Sequence, residues 1–164
     1  MADEARPFSA LLDPDCPDFL RPGDMPARIR QYCQRTGQPV PQAKGEVVRC
    51  VLESLALKYR WVLEKLELML GRELKVIHIV GGGGQNQLLC QLAADAMQRP
   101  VVAGPIEATA AGNVLMQAIG LGYLGSLAEG REVVRRSFEM CEYEPRPGAA
   151  WDEAYGRFSG LVLS

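Results

Sequence analysis

A run of four glycines is the feature of this sequence with the clearest chemical meaning. Residues 81–84 are glycine, and Gln85 and Asn86 follow them. The run lies between a β-branched stretch that predicts a strand and a segment that predicts a helix. A backbone without Cβ atoms lets a ligand approach closely, and a helix N-terminus offers unpaired N–H groups to an anion. The pattern predicts a phosphate- or nucleotide-binding loop, because a tight turn alone needs fewer glycines.

A second segment of small residues follows the next predicted strand. Residues 104–113 read Gly-Pro-Ile-Glu-Ala-Thr-Ala-Ala-Gly-Asn. The helix that starts there carries little side-chain bulk, so it can press against the glycine loop or against a flat ring. On these residues alone, ligand contact and close helix packing are equally good interpretations.

The common nucleotide-binding motifs fit the glycine run poorly. The order Gly81-x-Gly83-x-x-Asn86 lacks the third glycine of the dinucleotide fingerprint, and neither Asp95 nor Glu107 ends the second strand convincingly enough to hold a ribose. The Walker pattern is excluded, because no Gly-Lys-Ser/Thr follows the glycines. A dinucleotide-binding module remains a weak alternative.

The elements that must position these segments alternate between helices and strands. Apolar residues recurring every three or four positions predict a long helix over residues 46–70, which Gly71 ends. Further helices are predicted over residues 85–98 and 109–121, after the capping box Ser126-x-x-Glu129, and after a break at residues 145–147; strands are predicted over residues 75–80 and 99–103. This order predicts an α/β layer with parallel strands. Two strands make an incomplete parallel sheet, so we expect the chain to pair with a copy of itself or to be a piece of something longer.

The first 45 residues differ from the rest because they are rich in proline and aspartate. Turn-forming residues at this density exclude long regular elements, although a short helix from Pro26 to Thr36, with Asp24 as its N-cap and Gly37 as its stop, is predicted. We therefore divide the chain into a surface arm or linker over residues 1–45, without a core, and a domain over residues 46–164.

Composition excludes several classes of protein. The 164 residues include 18 Lys+Arg and 20 Asp+Glu, a net charge of -2 that gives no long-range attraction to nucleic acid. No apolar run approaches the roughly 18 residues of a membrane span, and no leader is evident at Met1. The five widely spaced cysteines and single histidine predict free thiols in a reducing cytoplasm and no metal site. His78 alternates with Val76 and Val80, which favours a buried core histidine.

Several motifs together give the chain a family resemblance. These are residues 8–15 (Phe-Ser-Ala-Leu-Leu-Asp-Pro-Asp), 19–26, 49–56 (Arg-Cys-Val-Leu-Glu-Ser-Leu-Ala), 79–86 and 104–113. The chain resembles the C-terminal portion of the FGGY family of carbohydrate kinases, and its Asp-Pro-Asp and Pro-Gly-Asp-Met-Pro stretches resemble the branch that acts on L-rhamnulose. The resemblance implies an incomplete actin-like, ribonuclease H-like α/β domain, rich in helix, with a short parallel sheet.

The resemblance also implies roles for the two small-residue segments. An adenine nucleotide, ATP or ADP with Mg²⁺, would lie along the glycine backbone, and Asn86 would hydrogen-bond the adenine edge. The nucleotide-binding residues implied are Gly81, Gly82, Gly83, Gly84 and Asn86. The residues implied to support the pocket are Glu107, Thr109 and Gly112.

The activity implied is transfer of the ATP γ-phosphate to the 1-hydroxyl of L-rhamnulose. The family's catalytic aspartate and sugar-binding residues lie upstream of the matched region, so no catalytic residue is assigned and the sugar would reach this chain only through an N-terminal domain. We expect the chain alone to be inactive and its strand edge to favour self-association. The alternative is a non-catalytic self-associating or docking domain that binds no nucleotide.

Overall fold

A computed structural model of the chain describes residues 1–146 and 148–162. Pro147, part of the break predicted before the last helix, and residues 163 and 164 lie outside the described residues. The helices are α1 (Met25–Arg35), α2 (Lys44–Leu70), α3 (Gln87–Met97), α4 (Ala108–Gly120), α5 (Leu127–Ser137) and α6 (Ala149–Val162). The strands are β1 (Ile77–Ile79), β2 (Val101–Ala103) and β3 (Cys141–Tyr143). No helix within these residues has the length and apolar character needed to cross a membrane.

The sheet is small and mixed, in the order β1-β2-β3. β1 and β2 run parallel, with Ile77 opposite Val101, as the helix–strand alternation predicts. β3 adds an antiparallel neighbour that the sequence did not predict, pairing Cys141 with Ala103. The helix-rich α/β class is confirmed, and the strand missed makes the sheet mixed rather than purely parallel.

The long helix α2 is the scaffold on which the other elements pack. It starts two residues before the predicted boundary and ends at Gly71, whose φ of 63° lies in the left-handed region that glycine adopts easily. Its buried face includes Ala56, Leu57 and Leu63, and it packs along α3. The apolar spacing of this helix predicts a face that packs in the core, and the structure confirms it.

Among the described residues, buried apolar side chains form three clusters. The first joins α2, α3 and α6 and contains Leu11, Leu52, Ala56, Leu57, Leu89, Leu92, Ala96, Trp151, Ala154 and Phe158. The second joins α1 to the start of α2, and the third lies between α3, α2 and one face of the sheet. These clusters fix α3 against both α2 and β2, so the start of α3 has a rigid foundation.

The first 45 residues bury side chains in the core that they share with α2, and the expectation of a surface arm without a core is wrong. Leu11 and Leu12 are at most 3% exposed, and Tyr32 and Cys33 of α1 are buried against α2. Prolines restrict the backbone of this segment without preventing side chains beside them from packing. The domain boundary between residues 45 and 46 remains a prediction.

Contacts far apart in sequence fix the N-terminal segment to α2 and α6. The Phe8 ring meets Trp151 edge to face, with centroids 4.7 Å apart, and Arg157 donates a hydrogen bond to the Phe8 carbonyl oxygen over 2.6 Å. The buried Glu53 carboxylate accepts the Phe8 N–H (2.8 Å) and the Arg49 Nε–H (2.7 Å). Burial raises the pKa of Glu53, and these hydrogen bonds oppose that rise.

Helices α4 and α5 pack on each other and bury almost nothing. Every described side chain of α4 keeps some solvent exposure, and in α5 only Gly130 is buried. His78 points to the same open side of the sheet and is exposed, so the expectation of a core histidine is wrong. The inward face of β1, carrying Ile77 and Ile79, packs in the third cluster, whereas the outward face has no comparable layer over it.

Candidate nucleotide-binding site

Parallel pairing brings the two small-residue segments to the same edge of the sheet. The glycine run follows β1 and residues 104–107 follow β2, and both strands end at that edge. The Gly104 N–H donates to the Ile79 carbonyl oxygen over 2.8 Å, and the Gly81 N–H donates to the Pro105 carbonyl oxygen over 3.0 Å. The two segments are thus hydrogen-bonded neighbours, as a shared site requires.

At two of the four positions in the glycine run, the backbone conformation or the packing requires glycine. Gly81 has a φ of 78°, a conformation that side-chain-bearing residues rarely adopt, and it turns the chain out of β1. A Cβ on Gly84 would lie 3.1 Å from the Ile79 carbonyl oxygen, so a side chain there is crowded by the strand end. A 3₁₀ turn over Gly82–Gln85 links these positions to α3.

The other two glycines are not required by internal packing. A Cβ on Gly82 would meet nothing within 4 Å, and one on Gly83 would meet only the Ile79 Cγ2 atom at 3.8 Å. Within the part of the chain that the structure describes, the N–H groups of Gly82 and Gly83 make no hydrogen bond. Exposed backbone donors without side chains suit close approach by an anionic group such as a phosphate.

Asn86 begins α3 and caps it. Its Oδ1 atom accepts the Leu89 N–H over 3.1 Å, which satisfies one of the donors that a helix start leaves unpaired. The side-chain oxygen is therefore engaged by the helix, and the amide nitrogen is the part of Asn86 that can hydrogen-bond a ligand. The residue stands at the mouth of the glycine loop, where the sequence predicted it.

Cys90 supports the loop from below. Its buried thiol lies 3.7 Å from the Gly84 carbonyl oxygen, and burial raises its pKa. A raised pKa disfavours the thiolate, so Cys90 is a packing residue rather than a nucleophile.

The three predicted support residues lie at the start of α4, but they do not all line one surface. Glu107 occupies the N-cap position of α4 without a side-chain cap, and Glu107 and Thr109 are exposed. Gly112 instead lines a concave surface of about 500 Å³ between the sheet and helices α4 and α5, together with Val80 and Ala108. The geometry brings Gly112 to this concavity but not the side chains of Glu107 and Thr109.

Three basic side chains line this concavity, and the sequence analysis assigned none of them to a site. His78 lies on its sheet side, and Arg131 and Arg135 of α5 line the opposite wall. The i,i+4 spacing of the arginines places them on one helix face, but nothing local shows that α5 folds back over β1. Among residues 1–146 and 148–162, no group of three or more His, Cys, Asp or Glu side chains is placed to hold a metal ion.

Comparison with known proteins identifies the class to which this fold and loop belong. Residues 1–121 match the model of the FGGY family of carbohydrate kinases, C-terminal domain. The chain belongs to this family.

Two curated relatives are rhamnulokinases. The chain is 48% identical over 161 residues to the rhamnulokinase of Bacteroides thetaiotaomicron, an alignment that covers 98% of this chain and 33% of the relative. It is 41% identical over 154 residues to that of Pectobacterium atrosepticum, covering 94% of this chain and 31% of the relative. The chain thus spans about a third of the length of the curated relatives that it matches.

Solved structures of sugar kinases share the fold. The glycerol kinase of Plasmodium falciparum, solved with ADP, aligns with a TM-score of 0.65 at 16% identity, over 99% of this chain and 31% of that one. The xylulose kinase of Rhodospirillum rubrum aligns with a TM-score of 0.61 at 24% identity, over 77% of this chain and 26% of that one. At these identities the likeness concerns the fold, which is that of actin-like, ribonuclease H-like sugar kinases.

Proposed function

We propose that this chain is the adenine-nucleotide-binding part of a kinase that transfers the ATP γ-phosphate to the 1-hydroxyl of L-rhamnulose. The observation that carries the proposal is the 48% identity to a rhamnulokinase over 98% of the chain. The glycine loop supports it, because the N–H groups of Gly82 and Gly83 are exposed and have room around them.

The residues of this chain would hold the nucleotide rather than react with it. Gly81 and Gly84 fix the loop, Gly82 and Gly83 present N–H donors to a phosphate, and Asn86 meets the base with its amide nitrogen. ATP supplies the phosphoryl group, and phosphate oxygens would bind Mg²⁺, because the described residues offer no acidic cluster for it. Glu107, Thr109 and Gly112 would support the pocket through the helix that they begin.

Phosphoryl transfer also needs a group that orients or deprotonates the sugar hydroxyl. The chain spans about a third of its relatives, and we assign none of its carboxylates to that role. The chain alone is therefore expected to bind nucleotide without phosphorylating a sugar. Turnover of ATP with L-rhamnulose by the purified chain would overturn this part of the proposal.

Calorimetric titration with ADP and ATP in the presence of Mg²⁺ tests nucleotide binding. Gly82→Val fills the open space above the loop and is expected to abolish binding. Gly156→Val is the matched control, because a Cβ on this α6 glycine also meets nothing within 4 Å. Asn86→Ser keeps an N-cap oxygen but removes the amide donor, so it is expected to weaken binding without unfolding α3. A folded wild type that binds neither nucleotide would contradict the proposal.

A second candidate is a self-associating or docking domain without nucleotide. It is favoured by the exposed apolar side chains of the α4–α5 region: Val114, Met116, Leu121 and Tyr123 are 58–80% exposed. Sedimentation at rising concentration distinguishes the candidates, because a monomer throughout that binds ADP supports the kinase proposal alone.

We also propose a cytoplasmic location. The five cysteines are free in the structure, as expected in a reducing compartment.

A further inference from the structure

The concavity between the sheet and helices α4 and α5 is open, although most of the side chains that line it are apolar. Its volume of about 500 Å³ lies in the range of roughly 300–1,000 Å³ that is usual for small-molecule sites. A Cβ on Gly112 would meet nothing within 4 Å, so the space beside this residue is free of protein atoms. The apolar lining includes Val80, Pro105, Ala108, Leu115, Val134 and Met140.

The ionisable side chains on this concavity are all basic. They are His78, Arg131 and Arg135, and no Asp or Glu among the described residues lines the same surface. Glu132 on α5 pairs with Arg135 (3.4 Å) and Arg136 (2.9 Å). Within residues 1–146 and 148–162, the Arg131 guanidinium makes no hydrogen bond or ion pair. Arg131 therefore keeps its N–H donors for an acceptor from outside the chain.

This combination of walls and charges selects the chemistry of a ligand. A guanidinium group donates two parallel hydrogen bonds to a carboxylate or a phosphate. The i,i+4 spacing of Arg131 and Arg135 presents two such groups from one wall, and the imidazole of His78 offers a further donor from the sheet side. The apolar lining stabilises a ligand that brings apolar surface with it. A cationic ligand would find no carboxylate on this surface to pair with.

We propose that the concavity binds a small amphipathic anion, in which a carboxylate or phosphate is attached to a short apolar body. The apolar body lies against α4 and the outward face of β1, and Arg131 and Arg135 hold the anionic group. This site is separate from the candidate nucleotide site, because Gly82 and Gly83, which carry the free N–H groups, do not line the concavity. The proposal therefore does not depend on nucleotide binding.

Titration of the purified chain with octanoate and with octyl phosphate, followed by nuclear magnetic resonance of the backbone amides, tests the proposal on the wild type. Saturable shifts confined to residues 78–80, 108–115 and 131–135 are the expected result. The tighter of the two ligands identifies the anionic group that the site prefers. Octyltrimethylammonium has the same apolar chain with a cationic head and should not bind. Absence of binding by both anions, or equal binding of the cation, would overturn the proposal.

A pair of arginine variants tests the charge. Arg131→Gln removes the unpaired guanidinium and breaks no hydrogen bond within the described part of the chain, so the variant should fold normally. The affinity for the anion should fall by about tenfold, since a hydrogen bond to a charged group is lost. Arg21→Gln is the control, because Arg21 is also exposed and lines a different surface, beside α1. Unchanged affinity in Arg131→Gln would contradict the proposal.

A pair of glycine variants tests the space, and two competing occupants complete the experiment. Gly112→Leu fills the concavity and should abolish binding of the anion. Gly120→Leu is the control on the same helix, because a Cβ there also meets nothing within 4 Å and Gly120 does not line the concavity. Saturating ADP should leave the affinity for the anion unchanged. Displacement of the anion by ADP, or a dimer in sedimentation that Gly112→Leu converts to a monomer, would assign the concavity to another occupant and overturn the proposal.

Discussion

Helices α3 and α4 follow the two parallel strands of one sheet, yet they differ sharply in what they bury. Eight of the 11 residues of α3 are buried, whereas none of the 13 residues of α4 is. α3 lies between α2, α6 and the inward face of the sheet, whereas α4 rests mainly on α5. From this difference we expect most of the stability of this chain to reside in the body formed by α1, α2, α3 and α6. The α4–α5 region buries little apolar surface and is expected to add little to that stability.

The glycine loop lies at the border between these two regions. The helix that follows it, α3, belongs to the body, while its hydrogen-bonded neighbour, residues 104–107, leads into α4. One wall of the candidate site is therefore anchored in the core through α3, whereas the other leads into a helix that buries none of its residues.

The largest expected effect comes from the core of the body. Phe158 is 0% exposed in the first cluster, so Phe158→Ala should lower the free energy of unfolding by about 3–5 kcal/mol. Leu121→Ala removes a similar apolar side chain that is 74% exposed, and it should change stability by less than about 0.5 kcal/mol. Urea unfolding followed by circular dichroism measures both. Equal losses would mean that the two regions contribute alike.

The next effect concerns the buried carboxylate that holds the N-terminal segment on α2. Glu53→Gln should cost about 1–3 kcal/mol, because one amide oxygen replaces two acceptors and the amide nitrogen faces a donor. Glu139→Gln, at an exposed position, is the control and should be neutral. Retained wild-type stability in Glu53→Gln would show that the hydrogen bonds of the Glu53 carboxylate do not help to hold the segment on α2.

The same carboxyl group predicts the sign of a pH dependence. Burial raises the pKa of Glu53 above its ordinary 4.5, so between these values the folded state keeps a proton that the unfolded state has lost. This contribution to stability is complete below pH 4.5 and is lost as the pH rises through the raised value. Urea midpoints across this range should fall for the wild type and stay flatter for Glu53→Gln. If the urea midpoints of the wild type and Glu53→Gln changed with pH in parallel, the pH dependence would arise from titratable groups other than Glu53.

The smallest effect should stay within the α4–α5 region. The Ser126 Oγ atom accepts the Glu129 N–H over 3.2 Å and caps α5, so Ser126→Ala should destabilise that helix by about 1 kcal/mol. Hydrogen exchange of residues 127–137 should accelerate about fivefold, while α3 keeps its protection. If exchange in α3 accelerated equally, the two regions would unfold as one cooperative unit.

The elements that local residues specify were predicted well. The bounds of α2 were predicted to within two residues, because apolar spacing and Gly71 act within the helix itself. The position of the glycine loop between β1 and α3 is confirmed, since it follows from neighbouring strand and helix signals. The part that these glycines play in binding a nucleotide stays a prediction.

The features that were missed depend on distant partners. β3 covers only Cys141–Tyr143, and it exists because β2, some 40 residues earlier, offers an edge. The burial of Leu11 requires α6, and the exposure of His78 depends on how little α4 and α5 cover. The residue type of Asn86 is enough to predict that it caps α3, whereas the family resemblance implied only a contact of this side chain with adenine.

The position of α6 in the first cluster has a consequence for how the chain is made. Trp151, Ala154 and Phe158 close a cluster whose other members, from Leu11 to Ala96, leave the ribosome more than 50 residues earlier. Throughout that interval the apolar side chains of α2 and α3 that α6 will cover stay exposed on the nascent chain. Exposed apolar surface of this kind is what chaperones bind, so we expect a chaperone to bind here until α6 is made.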